Sequence, residues 1–417
     1  MKYMTLIVKY QNIMSGNDKS LKKCRLCKSS DLENVYRLES TPIGDDYRKR
    51  TSHGKKYDLI LQNCKNCNFV QLSCVVDPKK VYGDYLYVTQ TSVGLPEHFK
   101  NVVEFFFKKK LITKYSKILE IGCNDGTLLN FLKKKTKLVV GVDPAKKVIT
   151  NCKFKKIAKF YNLNVSSEID KKYGKFDLII SNNTLANIDD LISTFKAINN
   201  NLKENGFLFI ESFSLHGILK ENLFDNIYHE HLSYFSIDVL RKFLMKFDLQ
   251  IVDAEHLDVK GGSIRILLKK TKKHLDMSKK LKKLILKENI FTKNIKKSFR
   301  RIKIINTKNK KVINNFLRKN KDKKIFGYGA SVGTTTFVYD YKLTKKISFI
   351  FDDEKRRHSK FVPGTKIKVI NPKLIKKLKP DYVIIFAWRY ASHILKRNKY
   401  FISTKFIRPL PNKMKLL

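Results

Sequence analysis

Residues 118–129 read I-L-E-I-G-C-N-D-G-T-L-L. Ile118, Leu119 and Ile121 make an apolar run with Glu120 inside it, glycines follow at 122 and 126, and a helical pattern starts at Thr127. This pattern predicts a buried parallel strand entering a tight glycine turn and the N-terminus of a helix. Glycine suits the turn because the backbone must adopt unusual dihedrals and come close to a ligand without a Cβ in the way. The spacing is E-x-G-x-x-x-G, not the dinucleotide G-x-G-x-x-G. The next apolar run, 138–142, ends at Asp143, where a carboxylate can accept both hydroxyls of a ribose. Strand, glycine turn, helix, strand and acid together form a nucleoside-binding half. A flavodoxin-like strand and turn with no ligand is the competing reading, and it leaves the placement of the acid unexplained.

This variant resembles the S-adenosylmethionine site of class I methyltransferases. The resemblance implies cofactor contacts from Glu120, Gly122, Asn124, Gly126 and Asp143. Further buried strands are expected at 176–181 (F-D-L-I-I-S), 206–211 (G-F-L-F-I-E) and 264–268, the last closing the domain after Gly261-Gly262-Ser263. Asn182, Asn183 and Thr184 follow the first of these, at the strand end that faces the ligand crevice of an open α/β sheet. Asn183 therefore joins the expected cofactor residues. The domain is expected to span 89–270.

With 417 residues, 42% apolar and 12% aromatic, the chain should hold two or three globular domains. No run approaches a membrane span, and residues 1–13 lack a long secretory core, so a cytoplasmic protein is expected. Met14 precedes the first polar turn, so part of the first dozen residues is expected to be an extension. The formal charge of +50 invites a nucleic-acid or anionic-membrane reading. The basic residues are overwhelmingly Lys, however, spread through every segment among many Asn and Ile. That is the signature of A/T-biased codons filling wet surfaces, whereas phosphate-binding patches concentrate Arg with aromatics. Neither nucleic acid nor membrane is expected as a partner, and a monomer or small homo-oligomer is.

Four of the seven cysteines are paired, as Cys24-x-x-Cys27 and Cys64-x-x-Cys67. Two such pairs in a cytoplasmic chain predict a structural Zn²⁺ site, because each turn brings two sulfurs to one ion. A closed Cys₄ site has no open position for substrate, so this metal would hold a fold and not catalyse. The zinc module is expected over 1–88, with Cys74, Cys123 and Cys152 as free core thiols. In 81–99, Tyr82, Tyr85, Tyr87, Thr89, Thr91 and Ser92 either line a pocket or form an amphipathic connector with its aromatics in the core.

The strongly basic stretch 274–320 carries Leu281, Leu284, Ile285, Ile295, Phe299 and Ile302 at helical spacing. It predicts bridging helices with Lys on the wet face, within a linker over 271–322. A second α/β unit is expected over 323–417. There 325–330 (I-F-G-Y-G-A) enters a glycine turn, Thr334-Thr335-Thr336 starts a helix, and 347–351 leads to Asp352-Asp353. The helix start and the threonine hydroxyls could hold a phosphate. Residues 361–365 form a turn, and 381–388 (D-Y-V-I-I-F-A-W) a final buried strand.

Residues 227–235 read I-Y-H-E-H-L-S-Y-F. Adjacent side chains of an H-x-H diverge on a strand or loop, so a general base with an orienting acid suits the segment better than a metal. A hydrogen-bonded interface is the structural alternative. At this point the motifs, taken in order along nearly the whole chain, resemble the zinc-containing sugar C-methyltransferases that act on nucleotide-linked deoxy-ketosugars. The matching stretches are C-R-L-C, C-K-N-C, D-Y-L-Y, I-L-E-I-G-C-N-D-G, N-N-T-L-A-N-I-D-D-L, I-Y-H-E-H-L-S-Y-F-S, G-G-S-I-R, G-Y-G-A, F-V-P-G-T and D-Y-V-I-I-F-A-W. The resemblance implies an N-terminal zinc module, a central class I methyltransferase domain of Rossmann-like α/β fold and a second Rossmann-like domain at the C-terminus. It implies that His231 removes the proton next to a sugar ketone, with Glu230, Tyr228 and Tyr87 positioning base and sugar. Two positions depart from the family pattern. Asn187 stands where a histidine is common, and Gly333 where a lysine commonly follows G-Y-G-A. An O-methyltransferase on a small-molecule hydroxyl is the alternative. A nucleic-acid methyltransferase would show N/D-P-P-Y/F or Pro-Cys where this chain has Ser181-Asn182-Asn183-Thr184.

Overall fold

The structure is a computed structural model, and it describes residues 18–51, 54–83, 85, 87–150, 152–398, 404–411 and 413–417. The expected extension over the first dozen residues lies outside them. Among the described residues three large sheets organise the chain, in addition to a two-stranded pairing of Lys19–Ser20 with Cys74–Val75. The central sheet has seven strands in the order Leu249–Leu257, Ser263–Lys270, Leu202–Phe213, Phe176–Asn182, Lys117–Ile121, Leu138–Val142 and Lys155–Ile157. The last five run parallel, and the first two are antiparallel additions. Parallel strands here read as continuous apolar runs because helices cover both faces. Ile118, Leu178 and Ile180 pack with Phe99 and Phe106 of the helix Leu95–Lys108, and Leu119 and Ile121 pack with Phe195 and Ile198 of Leu191–Asn201.

The strand expected at 264–268 is present as Ser263–Lys270 and is the last strand of the central sheet in chain order, although in space it is not the outermost. Leu249–Leu257 takes the edge beyond it. That edge strand was not read from the sequence because Asp253, Glu255 and His256 interrupt its apolar pattern and a register shift falls between Ile251 and Asp253. An edge strand has only one partner and tolerates both features.

The cysteine-bearing sheet has four antiparallel strands in the order Ser233–Tyr234, Val70–Leu72, Tyr57–Cys64 and Leu32–Thr41. Its outermost strand comes from the I-Y-H-E-H-L-S-Y-F segment, more than a hundred residues further along the chain. The C-terminal sheet has six strands in the order Lys368–Ile370, Phe349–Phe351, Ile325–Tyr328, Tyr382–Ile385, Lys405–Arg408 and Lys415–Leu416. The strand expected to be final is therefore Tyr382–Ile385 in mid-sheet, with two later strands outside it. Those two are four and two residues long, too short to show a pattern.

The basic stretch forms the helices Lys279–Thr292 and Ile295–Lys319. Ile295, Phe299, Ile302, Ile313 and Leu317 make the buried stripe of the longer one, and Phe299 stacks on Tyr36 of the zinc module at 5.3 Å. Among the described residues no helix is long and apolar enough to cross a membrane.

The two Rossmann-like sheets build the same turn twice. Gly122 and Gly329 donate their N–H groups to Val142 O and Phe351 O, each at 2.7 Å. Asn124 and Ala330 donate theirs to Asp143 Oδ2 (2.9 Å) and Asp352 Oδ2 (2.5 Å). The second turn departs from the expected phosphate site in one respect. The hydroxyls of Thr334, Thr335 and Thr336 are buried and donate to the carbonyls of Gly329, Gly44 and Ile227. Gly333 has no room for any side chain, since a Cβ there would stand 2.4 Å from Asp225 O.

One buried polar cluster joins the linker to the central sheet. Glu288 is 2% exposed, accepts the Ile237 N–H at 2.7 Å and lies 3.5 Å from His256 Nε2. Burial pushes the Glu288 carboxyl up to about 8 and the His256 imidazole down to about 4. Between the unfolded carboxyl range near 4.5 and about 8, the folded state holds a proton that the unfolded chain has lost, so Glu288 makes stability fall as pH rises through that window. Replacing Glu288 by Gln should flatten this fall. Its melting temperature should exceed wild type at pH 8.5 and match it near pH 5, as measured by thermal denaturation at both values.

Candidate active site

The cofactor half is built at the C-terminal ends of Lys117–Ile121 and Leu138–Val142. Gly122 (φ +76°) and Gly126 (φ +73°) take left-handed backbone, and a Cβ on either would meet Thr184 Oγ1 at 1.9 Å or the Phe154 ring at 2.2 Å. Asp143 is buried, its Oδ2 accepting the Asn124 N–H (2.9 Å) and its Oδ1 the Ala145 N–H (2.8 Å). Burial raises its pKa and these two bonds pull it back. Each oxygen keeps a second lone pair for a hydroxyl. Glu120 is buried with Oε2 unpartnered, and both amide atoms of Asn182 are buried without partners. Desolvation holds the Glu120 carboxyl well above the usual range. Asn183 sits at the end of the neighbouring strand, its backbone left-handed (φ +53°) and its N–H donated to Glu211 O at 2.7 Å. Orphaned polar atoms beside a side-chain-free turn are what a bound nucleoside would satisfy, so these residues fit S-adenosylmethionine.

The segment after the zinc module is tied to this turn. Asn124 donates from Nδ2 to Tyr87 O (3.2 Å) and accepts from Thr89 N–H (2.9 Å), while Asp125 Oδ2 accepts the Gln90 N–H (2.8 Å). The rings of Tyr82, Tyr85 and Tyr87 follow one another at 5.3 and 6.1 Å. The Tyr87 hydroxyl meets Ser92 Oγ at 3.0 Å and Lys260 Nζ at 3.3 Å.

His231 lies between two rings, Phe213 and Tyr228, each 3.9 Å away centroid to centroid. Its Nδ1 is 2.7 Å from the carbonyl of Asn226. A carbonyl only accepts, so Nδ1 carries the hydrogen and Nε2 keeps its lone pair. Burial pushes the imidazole down to about 3, with the charges of Lys260 and Arg389 adding to the effect, so the ring is neutral at neutral pH. Glu230 is 3% exposed with neither oxygen partnered, and burial pushes it up to about 8. His229 points elsewhere, onto Tyr57 of the zinc module with ring centroids 5.5 Å apart. Asn187 ends the short helix Leu185–Asn187, with its Oδ1 buried and unpartnered.

Several neighbours were not identified from the sequence. Asp225 accepts from Trp388 Nε1 and from Arg389 Nη1, each at 3.0 Å, and Arg389 Nη2 reaches Asn226 Oδ1 at 3.2 Å. The C-terminal domain thus grips the residue whose carbonyl holds His231. Glu211, at the end of its strand, is paired with Arg265 (2.7 Å) and His98 (2.6 Å). A charged residue ending an apolar run of sequence is the available signal for Glu211 and Arg389; nothing local marks Asp225, Asn226 or Lys260.

In the zinc module, Cys24 Sγ lies 3.6 Å from Cys67 Sγ and Cys27 Sγ lies 3.5 Å from Cys64 Sγ, with all four sulfurs within 4.8 Å of one another. Four Zn–S bonds of about 2.3 Å in a tetrahedron put sulfurs about 3.8 Å apart, so the cluster fits zinc. Lys28 (φ +66°) and Asn68 (φ +58°) close the two knuckles through N–H bonds to Cys24 O and Cys64 O. Among the described residues no other group of His, Cys, Asp and Glu could hold a metal. Cys24→Ser should lower zinc content to well below one ion per chain and destabilise the protein, checked by elemental analysis alongside thermal denaturation.

Three family models match, in order along the chain: "Putative zinc binding domain" over 24–82, "Methyltransferase domain" over 95–254 and "C-methyltransferase C-terminal domain" over 258–411. The chain is 26% identical over 402 residues to the C-methyltransferase NovU of Streptomyces niveus, covering 93% of this chain and 95% of that one. A ubiquinone biosynthesis O-methyltransferase of Pelagibacter ubique is 32% identical over 124 residues, 28% of this chain and 50% of its own. Among solved structures, a SAM-dependent methyltransferase from Archaeoglobus fulgidus aligns at 17% identity and a TM-score of 0.36, over 44% of this chain and 96% of that one. With a zinc-binding domain, a methyltransferase domain and a C-methyltransferase C-terminal domain in succession, and a relative that matches nearly end to end, the chain belongs to the zinc-binding, S-adenosylmethionine-dependent C-methyltransferases.

Proposed function

We propose that the enzyme methylates a carbon next to the ketone of a nucleotide-linked deoxy-ketosugar, with His231 as the base. The observation that carries this reading is the state of His231: a neutral imidazole whose Nδ1–H is committed to Asn226 O, leaving the Nε2 lone pair free. Such a nitrogen can take a carbon-bound proton if the enolate is stabilised. The C–H bonding pair then becomes a carbon–carbon π bond and the carbonyl pair moves onto oxygen. S-adenosylmethionine, when bound, supplies the electrophilic methyl, the new C–C bond forming as the methyl–sulfur pair remains on sulfur. The residues of the turn, Glu120, Gly122, Asn124, Gly126, Asp143 and Asn183, would hold the cofactor and orient it. The proton taken by His231 returns to water.

A sugar suits the surroundings of the base. Tyr87, Tyr228 and Glu230, the last kept protonated by burial below about pH 8, offer hydroxyl-type donors and acceptors for a polyhydroxyl ring. The second turn, with Asp352 placed as Asp143 is, gives the nucleotide portion a counterpart in the C-terminal domain. The reading implies a cytoplasmic enzyme, monomeric or a small homo-oligomer, with no nucleic-acid or membrane partner.

His231→Ala should retain S-adenosylmethionine affinity and melting temperature. Methylation and deuterium exchange at the substrate carbon should both fall by roughly two to four orders of magnitude. His229→Ala should leave exchange intact, because that ring faces the zinc module. Exchange at the wild-type rate in His231→Ala would remove it as the base; methylation with no exchange in wild type would favour an O-methyltransferase. Asp143→Ala should weaken cofactor binding by about 1.5–3 kcal/mol, read by calorimetry, through loss of its charge-assisted hydrogen bonds.

A further inference from the structure

Lys260 lies on the Val259–Gly261 turn between Leu249–Leu257 and Ser263–Lys270, at the open end of the central sheet. Its backbone is left-handed (φ +53°, ψ 24°), a conformation an unbranched cationic residue seldom adopts and one that clusters at functional sites. The turn is wedged in place from two sides. Gly262 is packed so closely on the helix Leu215–Glu221 that a Cβ on Gly217 would come within 2.7 Å of Gly262 O, and a Cβ on Gly261 would meet Arg389 Cδ at 2.5 Å. Ser263 Oγ closes the turn on Val259 O at 2.9 Å.

This wedge aims the Lys260 side chain at the active site. Nζ stands 3.3 Å from Tyr87 Oη and 5.2 Å from the centre of the Tyr87 ring, and its charge reaches His231. Among the described residues Lys260 makes no ion pair with a carboxylate. Among the described residues the one hydrogen bond of this half-buried ammonium is to the tyrosine hydroxyl, so N–H groups beside the neutral imidazole are left to serve a substrate acceptor.

We infer that Lys260, together with the Tyr87 hydroxyl, is the oxyanion site of the reaction: it binds the ketone oxygen of the substrate and stabilises the enolate that forms when His231 takes the α-proton. The inference rests on the C-methylation reading above. No proton need pass to the oxygen. The carbonyl pair moves onto it under the ammonium as the C–H bond breaks, and returns to re-form the ketone as the C–C bond forms. Charge develops on that oxygen only on the way to the enolate, so the interaction strengthens in the transition state.

The test is deuterium wash-in at the α-carbon of a thymidine-diphosphate 4-keto-6-deoxyhexose in D₂O, with S-adenosylhomocysteine bound so that no methyl is transferred. Wild type, Lys260→Met and Lys260→Arg are compared over a range of substrate concentrations up to saturation, with melting temperature and cofactor affinity measured on each. Lys260→Met should exchange about 100-fold more slowly, the usual effect of losing one oxyanion donor, with melting temperature and cofactor affinity unchanged. Lys260→Arg should recover much of the rate. Wild-type exchange in Lys260→Met overturns the inference, as does a loss confined to KM, which would make Lys260 a contact to a remote anionic group. A loss that follows a lowered melting temperature and is not restored by Arg overturns it too. No exchange in wild type overturns the C-methylation reading and this inference with it.

Discussion

The guanidinium of Arg25 is the contact on which the arrangement of the domains depends. Arg25 lies between the first two cysteines of the zinc cluster and is 4% exposed. It donates to Leu232 O (2.8 Å), Ser233 Oγ (2.9 Å), Asp189 O (3.1 Å) and Ile188 O, and pairs with the Asp189 carboxylate at 3.5 Å. Burial lowers its pKa to about 10, so it remains charged at neutral pH. A buried charge without partners is strongly destabilising, and this docking of the module gives each nitrogen of the guanidinium at least one acceptor. The zinc cluster is thus mechanically joined to the residues directly after His231 and Asn187. A metal with no catalytic position still reaches the active site by fixing the knuckle from which Arg25 extends.

From the other side the C-terminal domain performs a similar task. Trp388 and Arg389 hold Asp225 and Asn226, and the Asn226 carbonyl sets the His231 tautomer. His231 therefore belongs to no single domain: its segment lends a strand to the zinc sheet, stacks on Phe213 of the central sheet and is anchored from the third. Desolvation then acts in opposite directions on adjacent residues. It keeps His231 unprotonated and Glu230 protonated at neutral pH, because each is neutral in the form that needs no hydration. An acceptor and a donor side by side, both uncharged, are a combination that exposed side chains could not maintain.

Local chemistry was legible in the residues. Two C-x-x-C pairs must chelate one ion, and the glycines at 122 and 126 must take left-handed backbone, because sulfur reach and dihedral sterics act within a few positions. The acid after each second strand reads in the same way, and so do the buried strands of both parallel sheets. The structure gathers the residues expected to hold the cofactor at neighbouring strand ends and places Tyr228, Glu230 and His231 around one loop.

Tertiary structure alone decided which of those residues meet, and who their partners are. The pairing of Ser233–Tyr234 with Val70–Leu72, the burial of the Thr334–Thr336 hydroxyls against Gly44 and Ile227, and the approach of Lys260 to Tyr87 join positions more than a hundred residues apart in all but the Thr334 contact. The same holds for His229 and His231, two residues apart and alike in sequence, one turned to the zinc module and the other clamped by Asn226. A backbone turn or a chelating pair is specified by its own few residues. A long-range contact is specified by whichever packing buries the most apolar surface while leaving the fewest polar groups unpaired, and that balance exists only once the whole chain is folded.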